Sequence, residues 1–199
     1  GYVDLTLDVL NKFGVTVDPR ENGFHVPGGQ KYRAGDLAIE ADWSQAAFWY
    51  AANHLGGQVD IRGLDQSSRQ GDREVAAYCR KLARPGEVEL DVSQCPDLVP
   101  PLAAMAAVRA GTTRLTNAAR LRMKESDRLS TTAALLTALG GRAEEGPDFL
   151  TVHGGTLTGG MVDCANDHRI AMMAAIAASR ATGEVVIHGA EAVNKSYPD

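Results

Sequence analysis

The feature that most constrains this chain is a pattern that recurs three times: an aspartate, an alanine-rich apolar stretch, a glycine, then a short strand-like run. The copies run from Asp42 to Gly56, from Asp97 to Gly111 and from Asp167 to Gly183. Each reads as a helix capped by aspartate and closed by glycine, followed by a strand: Val59-Asp60-Ile61, Thr113-Arg114-Leu115 and Val185-Val186-Ile187. Pro100 and Pro101 fall in the first turn of the second helix, where backbone N–H groups have no intrahelical partner in any case. Asp42 with Gln45 resembles a capping box with Asp in the place of Ser or Thr.

After the first two strands the spacing predicts a further helix, over Asp72 to Arg84 and again over Ser126 to Leu139, the latter with Leu129, Leu136 and Leu139 as its buried stripe. Phe149-Leu150-Thr151-Val152-His153-Gly154-Gly155 follows the second of these. It has a twin, Phe24-His25-Val26-Pro27-Gly28-Gly29, which follows a helical stripe of Leu5, Val9, Leu10 and Phe13 closed by Gly14. By this periodicity the sequence opens on the back half of one unit, holds two whole units, and reaches Asp199 where a third unit is due its second helix. Truncation at both ends is therefore expected, and half-units leave apolar helix faces uncovered.

With 44% hydrophobic and 23% charged residues, 199 residues suffice for one generous core or two small ones. A net charge of −5 and a pI of about 5.5 provide no global positive field for nucleic acid or an anionic membrane, so any anion site has to be built locally. No apolar run approaches the roughly 20 residues of a membrane helix, and Gly1-Tyr2-Val3-Asp4 has none of the marks of a signal peptide; the expectation is a cytoplasmic protein. Cys79, Cys95 and Cys164 are odd in number and have no metal spacing, which favours free buried thiols over a disulfide framework or zinc site. With no metal-ligand cluster, dinucleotide fingerprint or P-loop in the sequence, neither cofactor nor metal is expected.

Three strings carry the chemistry. Arg120-Leu121-Arg122-Met123-Lys124-Glu125-Ser126-Asp127-Arg128 gathers four cations and three acidic or hydroxyl side chains where a helix begins, and the unpaired N–H groups there favour a phosphate or carboxylate. The bland alternative is a solvated charged start with Ser126 as N-cap. Asn166-Asp167-His168-Arg169-Ile170-Ala171-Met172 again sets an arginine in a first turn, the structural reading being Asp167 as cap and Arg169 as an exposed arm. Asn194-Lys195-Ser196-Tyr197-Pro198 puts a lysine just past a strand end, a common place for ligand-binding groups.

Lys-Glu-Ser-Asp-Arg, Asn-Asp-His-Arg-Ile-Ala-Met and Lys-Ser-Tyr-Pro, in that order on strand–helix repeats, closely resemble the C-terminal half of 5-enolpyruvylshikimate-3-phosphate synthases. The resemblance also runs through Tyr2 to Leu7, Ile39 to Asp42 and Gln70-Gly71-Asp72. It implies an α/β enolpyruvyl transferase fold, an inverse α/β barrel-like domain of repeated βαβαββ units, with the active site in a cleft between two such domains. Residues 1–38 would end the upper domain and 39–199 form most of the lower one. A preceding segment would supply a Lys-Ser loop, a glycine and arginine for phosphoenolpyruvate, and the serines that hold the shikimate phosphate.

The reaction implied is transfer of the enolpyruvyl group of phosphoenolpyruvate to the 5-hydroxyl of shikimate 3-phosphate with release of phosphate. It needs a base, an acid and enough positive charge to hold two anions together. Asp97 matches the proton acceptor; its structural alternative is a helix cap, and a carboxylate can do both. Glu125 matches the proton donor, with Lys124, a contact to both substrates, as the competing candidate. Arg128, Arg169 and Lys195 match the cations that grip phosphoenolpyruvate. His168 is either a site neighbour or a local structural partner, and Tyr2 matches a contact on the shikimate-phosphate side. Arg120 departs from the family pattern, which often has an asparagine there touching the shikimate phosphate.

The resemblance further implies a monomer when complete, glyphosate as an inhibitor of the full-length enzyme, and no nucleic-acid or membrane partner. A chain of this extent is expected to be inactive alone, because a cleft with one wall removed loses positioning. The rival enzyme is UDP-N-acetylglucosamine enolpyruvyl transferase, which shares fold and chemistry but is expected to lack the first two strings. The rival of another class is a non-catalytic binding module, which the negative charge disfavours.

Overall fold

The computed structural model describes residues 1–198. The three repeat helices form its centre: α2 (Trp43–His54), α4 (Val99–Val108) and α6 (His168–Ala178) pack against one another. Two further helices fill grooves between them, α3 (Val75–Leu82) between α2 and α4, and α5 (Arg128–Ala138) between α4 and α6. α4 lies innermost, every residue from Val99 to Ala107 being buried, and its small alanines let the neighbouring helices approach closely. Pro100 and Pro101 sit in its first turn, as the sequence predicts. The groove between α6 and α2 stays open, an apolar hollow of about 270 Å³ walled by Phe48, Trp49, Met172, Ile176 and Tyr197.

One four-stranded sheet covers this helical layer, in the order β3 (Val88–Asp91), β4 (Thr112–Thr116), β6 (Leu150–His153) and β5 (Arg142–Glu145). β3 runs parallel to β4, and β6 is antiparallel to both β4 and β5. Leu115, Leu150 and Val152 alternate inward with no exposure, while Arg114 and Glu144 face out. A second, two-stranded parallel sheet pairs β7 (Gly160–Asp163) with β8 (Val185–His188). The expected strands at Thr113–Leu115 and Val185–Ile187 and the stripe of Leu129, Leu136 and Leu139 are all present.

β6 ends where its backbone meets the α4–β4 turn: Gly154 N–H donates to the Gly111 carbonyl at 2.9 Å. A Cβ on Gly154 would run into the Arg109 carbonyl oxygen, which belongs to backbone and cannot swing aside. Gly154→Ala is therefore expected to destabilise the chain by about 1–3 kcal/mol, the usual size of an overpacking strain, seen as a lower urea midpoint.

Four local expectations are corrected. Val59–Ile61 is not a strand. The Asn53 amide side chain takes both backbone groups of Val59, donating to its carbonyl at 2.8 Å and accepting from its N–H at 2.7 Å. The chain also passes from α3 straight into β3, without a hairpin like the β5–β6 pair that follows α5, so no strand stands there to pair with. The helix expected from Asp72 begins as a 3-10 turn, Gly71–Glu74, and becomes α-helical only at Val75. Asp42 does cap α2, but Gln45 completes no capping box; its amide donates to the Ser196 carbonyl at 3.1 Å. Asp127, not Ser126, caps α5, accepting from Ser130 N–H.

The first stretch packs more loosely. α1 (Tyr2–Lys12) has no buried residue, so its stripe of Leu5, Val9 and Leu10 is only half covered. It leads to the hairpin of β1 (Asp18–Arg20) and β2 (Gly23–His25).

Candidate functional site

The site is built where three helix-start turns converge. Asp167 caps α6 by accepting the Arg169 N–H at 2.9 Å, as its position predicts. The same carboxylate, fully buried, receives Arg128 through two bonds, Nε to Oδ2 at 2.9 Å and Nη2 to Oδ1 at 3.1 Å, and Ser126 Oγ at 3.0 Å. Ser126, displaced from the capping role, thus ties the α5 start to the α6 start. Arg128 is only 1% exposed, and its Nη1 also donates to Asp97 Oδ1 at 2.8 Å while Nη2 meets Glu125. One guanidinium therefore joins Asp97, Glu125 and Asp167, a geometry its rigid planar fork suits and a lysine could not reproduce.

Asp97 is not a cap. Pro96–Leu98 forms a 3-10 turn, and α4 starts at Val99 with no side-chain cap, which frees the carboxylate. Lys124 Nζ lies 3.1 Å from its Oδ1, Arg169 Nη2 lies 3.6 Å from Oδ2, and the Tyr2 hydroxyl donates to Oδ2 at 3.2 Å. Burial pushes the Asp97 carboxyl up, but Arg169, Lys124 and Arg128 outweigh it and hold the group below the usual carboxylate range. Burial likewise opposes ionisation of Asp167, and Arg128 overrides it. Burial and then Asp97 push the Tyr2 phenol well up, so it stays a hydrogen-bond donor at neutral pH.

The sign of the resulting pH dependence is fixed by these directions. Asp97 and Asp167 ionise more easily folded than unfolded, so their stabilising effect is present above the ordinary carboxylate value of about 3.9 and is lost as pH falls through the lower folded values. Thermal melts are expected to show a steep loss of stability below about pH 4. Replacing Asp167 with Asn should flatten that limb.

Arg169 is not the exposed arm its position suggests; it is 8% exposed, and its Nη1 has no hydrogen-bond partner among the described residues. His168, 6% exposed, is driven toward its neutral form by burial and Arg169, and its Nδ1 stands 3.9 Å from Glu125 without a hydrogen bond. Lys195 Nζ donates at 2.6 Å to the carbonyl of Asn166, immediately before the Asp167 cap. Arg120 is exposed on the 3-10 turn Ala119–Met123 and lines a different polar pocket with Ser93, Gln94 and Asn117. Arg122, the fourth cation of its string, is architectural: it bonds Asp127 at 2.7 Å and Glu145 at 2.8 Å, fastening the α5 cap to the end of β5.

The result is an ionised carboxylate, a half-exposed second carboxylate and a lysine beside two buried arginines. Such a set can take a proton, give one, and hold an anion. Reading the strings alone missed Asp72, 5% exposed, which lines a polar pocket of about 270 Å³ with Tyr2, Ser44, Asp97 and Arg169. Its signal was the Gln70-Gly71-Asp72 string.

The solved structures that share this arrangement of helix–strand repeats include EPSP synthases and an enolpyruvyl transferase. The EPSP synthase of Acinetobacter baumannii superposes with a TM-score of 0.81 at 26% identity, covering 95% of this chain and 51% of that one. The enolpyruvyl transferase NikO of Streptomyces tendae shares the fold, with a TM-score of 0.67 at 20% identity over 99% of this chain and 50% of its own. The chain belongs to the EPSP synthase (3-phosphoshikimate 1-carboxyvinyltransferase) family, whose model matches residues 1–199. A 3-phosphoshikimate 1-carboxyvinyltransferase of Clostridium kluyveri is 45% identical over 214 residues, covering 99% of this chain and 50% of the relative. One of Methanopyrus kandleri is 38% identical over 213 residues, with 99% and 50% covered. The chain spans about half the length of these curated relatives.

Proposed function

We propose that this chain carries one wall of a site that transfers the enolpyruvyl group of phosphoenolpyruvate to the 5-hydroxyl of shikimate 3-phosphate, releasing phosphate. The observation that carries the reading is Asp97, a largely buried carboxylate kept ionised by Lys124, Arg128 and Arg169 at 2.8–3.6 Å. Asp97 is the base that takes the hydroxyl proton. Glu125, half-exposed and anchored by Arg128, and Lys124 are the two groups able to deliver a proton to the methylene carbon. Arg169, whose Nη1 has no hydrogen-bond partner among the described residues, and Arg128 and Lys195 hold the phosphoenolpyruvate anion. Tyr2 serves the shikimate-phosphate side and His168 shapes the α6 start, while Arg120, which lines a different pocket, has no part in this site.

Residues 1–38 are assigned to the upper domain and 39–199 to the lower, a division supported by the lack of any buried residue in α1. The free thiols of Cys79, Cys95 and Cys164 fit a reducing, cytoplasmic setting, and the full-length protein is read as a glyphosate-inhibited monomer. The test is phosphate release from shikimate 3-phosphate plus phosphoenolpyruvate by the purified chain, with Asp97→Asn as control. Turnover that the control abolishes supports a sufficient site. A folded chain without turnover that becomes active when the preceding half of a relative is supplied supports one wall of a two-walled site; silence in both, with the relative's intact enzyme active under the same conditions, overturns the reading.

A further inference from the structure

The Gln70-Gly71-Asp72 string has a distinct task for each residue. Gln70 accepts the Trp43 N–H at 2.8 Å and donates to the Ala41 carbonyl at 3.0 Å, locking the α2 start on both sides of its Asp42 cap. Gly71 packs directly against the Gln94 carbonyl, in the loop that leads to Asp97, where any Cβ would collide with backbone. Asp72 is thereby delivered, 5% exposed, into the pocket shared by Tyr2, Asp97 and Arg169. Ser44 Oγ donates to its Oδ2, and its Oδ1, like Nη1 of Arg169 in the lining of the same pocket, is buried with no hydrogen-bond partner among the described residues.

We propose that Asp72 is a positioning residue of the transferase site, a buried carboxylate that competes with Asp97 for Arg169 and so sets how firmly Arg169 is held for an anion. A buried acid with an open oxygen does little for the fold, because an unsatisfied charged group is a burden on stability. A motif that spends a glutamine, a glycine and a serine on placing one there is better explained by the site. Burial, opposed by the Ser44 bond and reinforced by Asp97, pushes the Asp72 carboxyl up to about 6. The charged and titratable groups around it are Tyr2 on α1, Asp42 at the α2 start, Cys95 and Asp97 before α4, Arg169 on α6, and Arg73 and Glu74 on its own turn.

The inference rests on the reading of Asp97 as the base, but its test needs no substrate, so either can fail without the other. Carboxyl 13C resonances of Asp97 and the 15Nε resonance of Arg169 are followed from pH 4.5 to 8 in the whole chain, with thermal melts at pH 5 and 7.5. Because folding raises the Asp72 pKa above its ordinary value, the fold favours the protonated acid: stability from this group grows as pH falls from 7.5 to 5. The parent should therefore show a step near pH 6 in both resonances. Asp72→Asn should lose the step and melt no lower than the parent at pH 7.5. Ser44→Ala, which keeps the carboxylate and removes its hydrogen bond, should move the step to higher pH. Absence of the step in the parent, its survival in Asp72→Asn, an unmoved step in Ser44→Ala, or an Asp72→Asn chain that fails to fold at pH 7.5 would each overturn the proposal, the last by making Asp72 a structural residue.

Discussion

Arg128→Met is expected to destabilise the chain by about 3–5 kcal/mol, read as a lower urea midpoint at neutral pH, because it strands a carboxylate with no exposure. Asp167 would keep its cap bond to Arg169 N–H and the Ser126 hydroxyl, but lose both guanidinium bonds that make its ionised form tolerable. Most of the loss should come from that uncompensated charge rather than from the arginine itself. The double variant Arg128→Met with Asp167→Asn distinguishes the two: Asn still caps a helix, carries no charge, and should recover most of the stability. If the double variant is as unstable as the single, the stem packing of Arg128 matters more than its charge.

Asp97→Asn is expected to lower phosphate release by about 10²–10⁴-fold in whatever form of the protein turns over, the range a positioned general base contributes. A second signature separates loss of chemistry from loss of fold. Asp97 neutralises parts of Lys124, Arg128 and Arg169 at once, so its removal raises the local positive charge by one unit. Inorganic phosphate should then bind the variant more tightly than the parent, with a steeper dependence on salt, in a calorimetric titration. A variant that is inactive and also binds phosphate more weakly would place Asp97 in the architecture of the anion site instead.

Much of this molecule was legible along the chain because it depends on neighbours within about four residues. Asp42 and Asp167 cap their helices, the prolines of α4 sit in its first turn, and the leucines of α5 point inward, all consequences of helix geometry that act locally. The candidate site was pointed to by the resemblance rather than by composition: Asp97, Lys124, Glu125, Arg128 and Arg169, which it singles out, lie close together in the fold. Arg120 carries the same charge in the same string yet stays outside, since its 3-10 turn faces another pocket.

Tertiary structure decided the rest. Asp97 and Asp167 look alike as helix-start aspartates, but only one caps; the other turns away to meet cations from two distant turns, and nothing within four residues of it carries that information. Val59–Ile61 has the composition of a strand and lacks a partner, since β-structure needs hydrogen bonds from a segment far along the chain. The burial of Arg128 likewise follows from three helix starts meeting at one point, where its guanidinium is the counter-charge for carboxylates 31 and 39 residues away. Local periodicity determined the helices and the caps of α2 and α6; which of their charged ends face one another was set by packing α2, α4 and α6 together, an arrangement no short window of sequence contains.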